Sequence, residues 1–581
     1  AACHARDIRV PIYTTVQWDH YTAERHPEWL VIDETGRWVG TGPYEAGFYR
    51  RLCVNSPYRE FFREHVQEIL DTMPVDGFFF DIVAPMDCSC RYCREQMLAQ
   101  GLEPADPEAR RAFGLQTIND WMHEVSAMVW AQAPDATVFY NGGHVGAQRR
   151  AVTDAHSHWE LESLPSGGWG YMHFPLSQRY ARTLGLDCLG MTGKFHTSWG
   201  DFHSFKNPAA LEAECYNMLA LNAKCSIGDQ LHPDGAIDPY VYDLIGAVYA
   251  QVEAKEPWCR DARPLVQIGV VSNEEFGEER VPAAAAGAVR ILQEGAQQFD
   301  VLDTQADLSP YAVVILPDAI PCSPEFAERL ERYLAAGGSV IASYRAGLKP
   351  AGDAFATERL GVRLVGDAPY SPDFFLPEGD LGRGLPPTEH VMYLRGLEVA
   401  PLPGAEVLAR TVVPYFERSY RHFCSHRHTP SSGERGYPAA VRNGRVIYLA
   451  HPVFTQYQQN APRWVKTLVL DALGLLLPEP LVRHEGPSTL TTALNEQPAE
   501  RRAVLHLLHY IPERRGQDFD VIEDVIPLYG VRVSVRPGRE VAAVRLAPSG
   551  QVLEVERRGE RVEFVIPEVR GHQMVALEYA R

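Results

Sequence analysis

Several things are scarce in this chain, and each scarcity removes a class of function. Positive charge is outnumbered, 55 Lys and Arg against 75 Asp and Glu, for a formal net charge of −20. Such a surface repels nucleic acid and anionic membranes, so neither is expected as a partner. No apolar run approaches the length of about 20 residues that a membrane-spanning helix needs. The first residues carry no secretory leader pattern, and the eleven cysteines are odd in number and unevenly spread. A disulfide framework is therefore disfavoured against free thiols and a metal site, and a cytoplasmic protein is expected. No G-x-G-x-x-G follows the first strand-like run of the second half, so Gly337-Gly338 reads as a helix end before a strand and not as a nucleotide loop. Only six of the basic residues are Lys, which fits either an arginine-rich genome or adaptation to heat.

What remains is an ordinary globular composition, 45% apolar and 22% charged, over 581 residues. That length exceeds what one core can hold, and two to four domains are expected. Residues 1–261 alternate strand-like and helix-like segments: strands at 8–13, 77–83, 137–141, 157–162, 188–192 and 224–228, helices at 58–73, 108–132 and 207–222. Alternation of this kind implies βαβ units and a parallel sheet. Polar residues gather just after the strands, as in a (β/α)8 barrel, whose chemistry lies at the C-terminal strand ends. The fold class is thus α/β, with a TIM-type barrel of which six strands are countable and the first two would precede residue 1. Residues 262–478 restart a different α/β pattern, with strands at 266–271, 299–302, 312–316, 339–343 and 445–450, interrupted at 351–440 by a Pro-, Gly- and Arg-rich stretch expected to be irregular. From 479 to 581 helical periodicity vanishes, and short alternating runs at 503–509, 530–535, 552–556 and 561–565 suggest a β-sandwich.

One segment concentrates the chemistry. In Asp-Gly-Phe-Phe-Phe-Asp, residues 76–81, a buried strand ends on a lone carboxylate, Asp81. That position favours catalysis over a structural ion pair, whereas Asp76, at the other end, belongs to the stability face. Seven residues on, Cys88, Cys90 and Cys93 form a C-x-C-x2-C cluster. With Cys53 as fourth ligand they could close a tetrahedral structural Zn²⁺ site with no open position; the bland alternative is three reduced thiols in a loop.

Glycoside hydrolysis commonly uses two carboxylates. Glu160 and Glu162 alternate on 157–162 and so point the same way, and either could face Asp81. Aromatic and polar residues near strand ends and in Gly-rich loops suit a sugar: Trp18, Asp19, Asn141, Trp169, Tyr171, Lys194, His196, Trp199, Asp229 and Gln230. A loop hydrophobic cluster is the competing reading for each aromatic.

Long motifs then point to a family. Y-T-T-V-Q-W-D followed by H-P-E-W, D-G-F-F-F-D with C-S-C-R-Y-C, E-L-E-S-L-P-S-G-G-W-G-Y, M-T-G-K-F-H-T-S-W-G-D-F and G-D-Q-L-H-P-D-G together resemble the bacterial α-L-fucosidases of glycoside hydrolase family 151. The cysteine arrangement and the three-part layout are similar to those of the family 42 β-galactosidases, which implies a barrel, a Rossmann/flavodoxin-like trimerisation-type domain and a β-sandwich. The resemblance implies a retaining exo-α-L-fucosidase acting on fucosylated oligosaccharides or glycosides, with Asp81 as nucleophile and Glu160 or Glu162 as acid/base. It also implies a homotrimer, formed through the middle domain. A β-galactosidase, an α-L-arabinopyranosidase and a non-catalytic sugar-binding relative stay open as alternatives.

Overall fold

A computed structural model describes residues 2–41, 49–277 and 279–580. The chain divides into two compact units, 1–162 with 184–189, and 163–183 with 190–581.

In the first unit three parallel strands run side by side: β1 (Ile12–Thr15), β2 (Gly77–Asp81) and β3 (Thr137–Tyr140). Ile12 pairs with Phe78 and Thr15 with Asp81, and Phe80 pairs with Tyr140. The β2 sequence is apolar on both faces because helices cover one side and barrel-type aromatics the other. β4 (Trp159–Glu162) follows β3, with the Ser157 amide donating to Val138 O at 3.0 Å just before it. The helix Tyr58–Thr72 buries Tyr58, Phe62, Val66 and Ile69 at helical spacing. Phe61 and Met73, which share the apolar stripe in the sequence, are exposed. The long helix Pro107–Gln132 starts at Pro107 behind an Asp106 cap and contributes Ile118, Trp121, Met122, Val125 and Val129 to the same core.

The second unit holds β5 (Cys188–Gly193) from Gly190 on and β6 (Lys224–Gly228). Next comes a sheet whose parallel part is ordered Phe299–Leu302, Ile268–Val271, Val313–Leu316, Ser339–Ser343, Val446–Leu449. Numbered by sequence this is 2-1-3-4-5, the flavodoxin-like winding.

The stretch 351–440 is not irregular. It carries Ser431–Asn443, which pairs antiparallel with Val446–Leu449, and Glu406–Pro414, which pairs antiparallel with Ser431–Asn443 in turn, so both extend that sheet. The register between them shifts repeatedly, and these bulges break the strict alternation by which a strand is recognised. The C-terminal region is two antiparallel sheets, one built on Leu528–Val535 and Arg561–Val569, the other on Leu490–Gln497, Arg502–His509 and His572–Tyr579. Leu494, Leu505, Val533, Phe564 and Val575 fill the space between them.

Candidate active site

Asp81 ends β2, and its carboxylate is held from three directions within the first unit. Tyr13 Oη donates to Oδ2 at 2.5 Å, Asn141 Nδ2 donates to Oδ1 at 2.9 Å, and the Ile82 amide donates to Oδ1 at 2.9 Å. The register explains the first contact. Tyr13 pairs with Phe79, and residues two apart share a face, so Tyr13 and Asp81 point the same way on neighbouring strands. Partial burial, then the Asp81 carboxylate, push the Tyr13 phenol well above its ordinary range, which keeps it a neutral donor. Ile82 sits at φ +59°, a strained conformation for a β-branched residue. Strain of this kind concentrates at functional sites. Buried Gln17 accepts from the Ala84 amide at 2.8 Å and fixes the loop beyond.

The same Asn141 nitrogen that reaches Asp81 donates to Glu162 Oε2 at 2.7 Å. Two oxygens sharing one donor can be no further apart than the sum of their distances to it. That limit falls at the carboxyl spacing of retaining glycosidases, about 5–5.5 Å, and short of the about 6.5–9.5 Å of inverting ones. Asn141 is itself buried and anchored, its Oδ1 accepting from the Gly143 amide at 2.9 Å. Glu160 lies on the same face of β4, between buried Trp159 and Leu161, and is paired with His158 Nε2 at 2.9 Å. Sequence alone left the two glutamates equivalent; these contacts separate them.

Trp18 and Asp19 follow β1 in the first unit. Trp18 stacks on Tyr49 with centroids 4.0 Å apart, and the Arg51 guanidinium lies 4.8 Å from its ring. Asp19 caps the helix His20–Arg25, accepting from the Thr22 amide at 3.2 Å.

The remaining expected sugar-binding residues belong to the second unit. Lys194 is buried, donates to the carbonyls of Asp201 (3.3 Å) and Ser204 (3.2 Å), and closes the loop between them. The His196 amide donates to Ser204 Oγ at 2.9 Å. Trp199 is half exposed and packs edge-on to Phe195. A Cβ on Gly228 would come within 2.4 Å of the Trp199 ring, so glycine is required where that ring crosses β6. Trp169 meets His173 edge-on. Asp229 accepts from the Gln230 amide at 2.7 Å. Tyr171 is a half-buried phenol raised by burial and the nearby Glu214 carboxylate.

Cys53, Cys88, Cys90 and Cys93 are all buried, with their sulfurs within 4.8 Å of one another. Cys53 Sγ lies 3.6 Å from Cys93 Sγ and 3.8 Å from Cys90 Sγ. A tetrahedral ion with bonds of about 2.3 Å sets sulfurs about 3.8 Å apart. The set fits a closed four-cysteine metal site, and Asn55 Nδ2 adds a donor to Cys93 Sγ at 3.6 Å.

Tyr13, Gln17 and Ile82 were not singled out as site residues by the sequence. A hydroxyl-bearing aromatic near a strand's C-terminal end was the available sign for Tyr13, whereas nothing local marks Ile82 as strained.

No helix among the described residues is long and apolar enough to cross a membrane. The family described as "Hypothetical glycosyl hydrolase 6" matches residues 1–82, and "Beta-galactosidase trimerisation domain" matches residues 290–364. A search of curated protein sequences gives no match. Among solved structures, α-L-fucosidase isoenzyme 2 from Paenibacillus thiaminolyticus is 40% identical, with a TM-score of 0.95 over 100% of this chain and 89% of that one. A β-galactosidase from Bacillus circulans sp. alkalophilus is 16% identical, with a TM-score of 0.72 over 99% and 90%. One from Rahnella sp. R3 is 14% identical, with a TM-score of 0.69 over 99% and 89%. The galactosidases share the fold, that of TIM-barrel glycosidases with a C-terminal β-rich domain. At 40% identity over its whole length, the chain belongs to the family of the Paenibacillus α-L-fucosidase and is a glycoside hydrolase.

Proposed function

We propose that this enzyme is a retaining exo-α-L-fucosidase in which Asp81 is the nucleophile and Glu162 the acid/base. The observation that carries the assignment is the single Asn141 nitrogen bonded to both carboxylates. In the first half-reaction the Asp81 carboxylate forms a bond to the anomeric carbon. The bond from that carbon to the leaving oxygen breaks, and Glu162 gives that oxygen its proton. In the second, water attacks the glycosyl ester, Glu162 takes the water's proton, and Asp81 leaves as the carboxylate. Tyr13, Asn141 and the Ile82 amide orient Asp81 without reorganising during the reaction. Trp169, Tyr171, Lys194, His196, Trp199, Asp229 and Gln230 are proposed to serve substrate binding, and Trp18 and Asp19 to shape the loop beside β1.

Zn²⁺ is the proposed occupant of the cysteine site. Bound by four thiolates, it supplies charge neutralisation and a brace between the segment before the helix Tyr58–Thr72 and the loop after β2. Four thiolates this close repel one another unless a cation sits among them. It has no open position, so it takes no part in the chemistry. A homotrimer is proposed from the match at 290–364. Domains of 1–261, 262–478 and 479–581 and a reducing, cytoplasmic setting complete the reading.

A panel of aryl glycosides with the released sugar followed by NMR tests the function. Turnover of the aryl α-L-fucoside with the α-anomer released first is expected. Preferred turnover of the β-galactoside or α-L-arabinopyranoside, or β-anomer release, would overturn the proposal.

A further inference from the structure

A second cavity, of about 240 Å³, is lined entirely by residues of the second unit, none of which the glycosidase reading uses except Tyr171. Its walls are mainly apolar and partly aromatic, with Phe174, Met218, Leu508, Tyr510 and Ile522 among them, and Asn217, Arg290, Gln293 and Glu294 supply polar lining. Two buried polar groups on the wall are unsatisfied. Ser163 is 2% exposed, and its Oγ makes no hydrogen bond. Glu214 is 6% exposed; its Oε2 is taken by Lys206 Nζ and, at 2.5 Å, by Thr192 Oγ1, while Oε1 has no partner. Buried polar atoms are nearly always paired, and leaving one unpaired is destabilising.

We infer that this cavity is a binding site for a small uncharged aromatic alcohol, with its hydroxyl at Ser163 and Glu214 and its ring between Phe174 and Tyr510. Glu214 Oε1 needs a donor and Ser163 Oγ can give or take a proton, so one hydroxyl satisfies both. An anion meets the Glu214 carboxylate, and the one guanidinium named on the wall, Arg290, is already paired with Glu294 at 2.9 Å. A cation gains little, because Lys206 already neutralises that carboxylate. A monosaccharide has hydroxyls on every side and would bury several of them against the apolar part of the wall. Aromatic and thioether groups favour a flat ring.

Calorimetric titration of the full chain with p-cresol and with its hydroxyl-free analogue toluene tests this site. Saturating L-fucose is present throughout, to keep the probe from the sugar site. One p-cresol site per chain is expected, with toluene bound about ten- to a hundredfold more weakly, the range for a hydrogen bond to a charged group. Ser163→Ala should narrow that gap, and Ala213→Phe, which puts a ring into the cavity, should abolish binding. Equal affinity for the two probes, or p-cresol binding that survives Ala213→Phe, would overturn the inference. Should either variant fail to fold, a crystal of the wild type soaked in p-cresol decides. A ring between Phe174 and Tyr510 supports the site; no ring there refutes it.

Discussion

Tyr13 Oη and Asp81 Oδ2 lie 2.5 Å apart, on neighbouring parallel strands and offset by two residues in register. The hydroxyl holds the carboxylate in one rotamer and spreads its charge. Tyr13→Phe removes only that oxygen, and kcat for an aryl α-L-fucoside should fall about ten- to a hundredfold, the range for a charge-assisted hydrogen bond. KM should change little. Steady-state kinetics of the purified variant reads both, and wild-type kcat would remove Tyr13 from the site.

Asn141 is the bridge between the two carboxylates, so its loss should cost more than that of either contact alone. Asn141→Ala leaves Asp81 and Glu162 without their shared donor, and kcat should drop at least about a hundredfold, as for removal of a preorganised donor. Glu160→Gln touches only the His158 pair and should retain activity to within about tenfold. The ratio of the two effects decides between the glutamates.

The barrel-like alternation, the position of Asp81 and the cysteine cluster were legible because each rests on local pattern: an apolar run ending in a charge, or ligands a few residues apart. The α/β pattern of 262–478 was equally plain, its strands at 299–302 and 339–343 falling where the sequence placed them. What could not be read depends on register and on contacts across many residues. Glu160 and Glu162 are chemically alike on one strand face, and only His158 on one side and Asn141 on the other tell them apart. The sheet extension in 351–440 was hidden by bulges and by Pro and Gly inside its strands. Asp19, expected beside the sugar, also caps the helix His20–Arg25, and a helix cap and a binding carboxylate have the same sequence signature.

The cysteine cluster should hold one Zn²⁺ per chain by elemental analysis of the purified protein. Cys90→Ser should lose it and lower the midpoint of thermal unfolding. Metal-free wild-type protein of full stability would rule the site out.

His156 makes acid stability testable. Burial, aided by the Arg149 charge, lowers its pKa to about 3, and it packs at 4.4 Å against Trp159. An unfolded histidine titrates near 6.5. Between those values the unfolded state binds the extra proton, so the contribution is fully present above about 6.5 and is lost as pH falls toward 3. At pH 5 the loss from this residue alone is about 2 kcal/mol. Chemical denaturation at pH 7 and pH 5 should show a smaller drop for His156→Phe than for the wild type. An equal drop would mean that His156 is charged in the folded state.

The central claim is that Asp81 forms the glycosyl bond, and trapping that bond tests it most directly. Incubation with an activated 2-deoxy-2-fluoro-fucosyl fluoride slows breakdown of the intermediate, and peptide mass spectrometry locates the sugar. The expected result is one fluorofucosyl group per chain on Asp81, absent from Asp81→Asn. A label on Glu160, Glu162 or any other carboxylate would contradict the account.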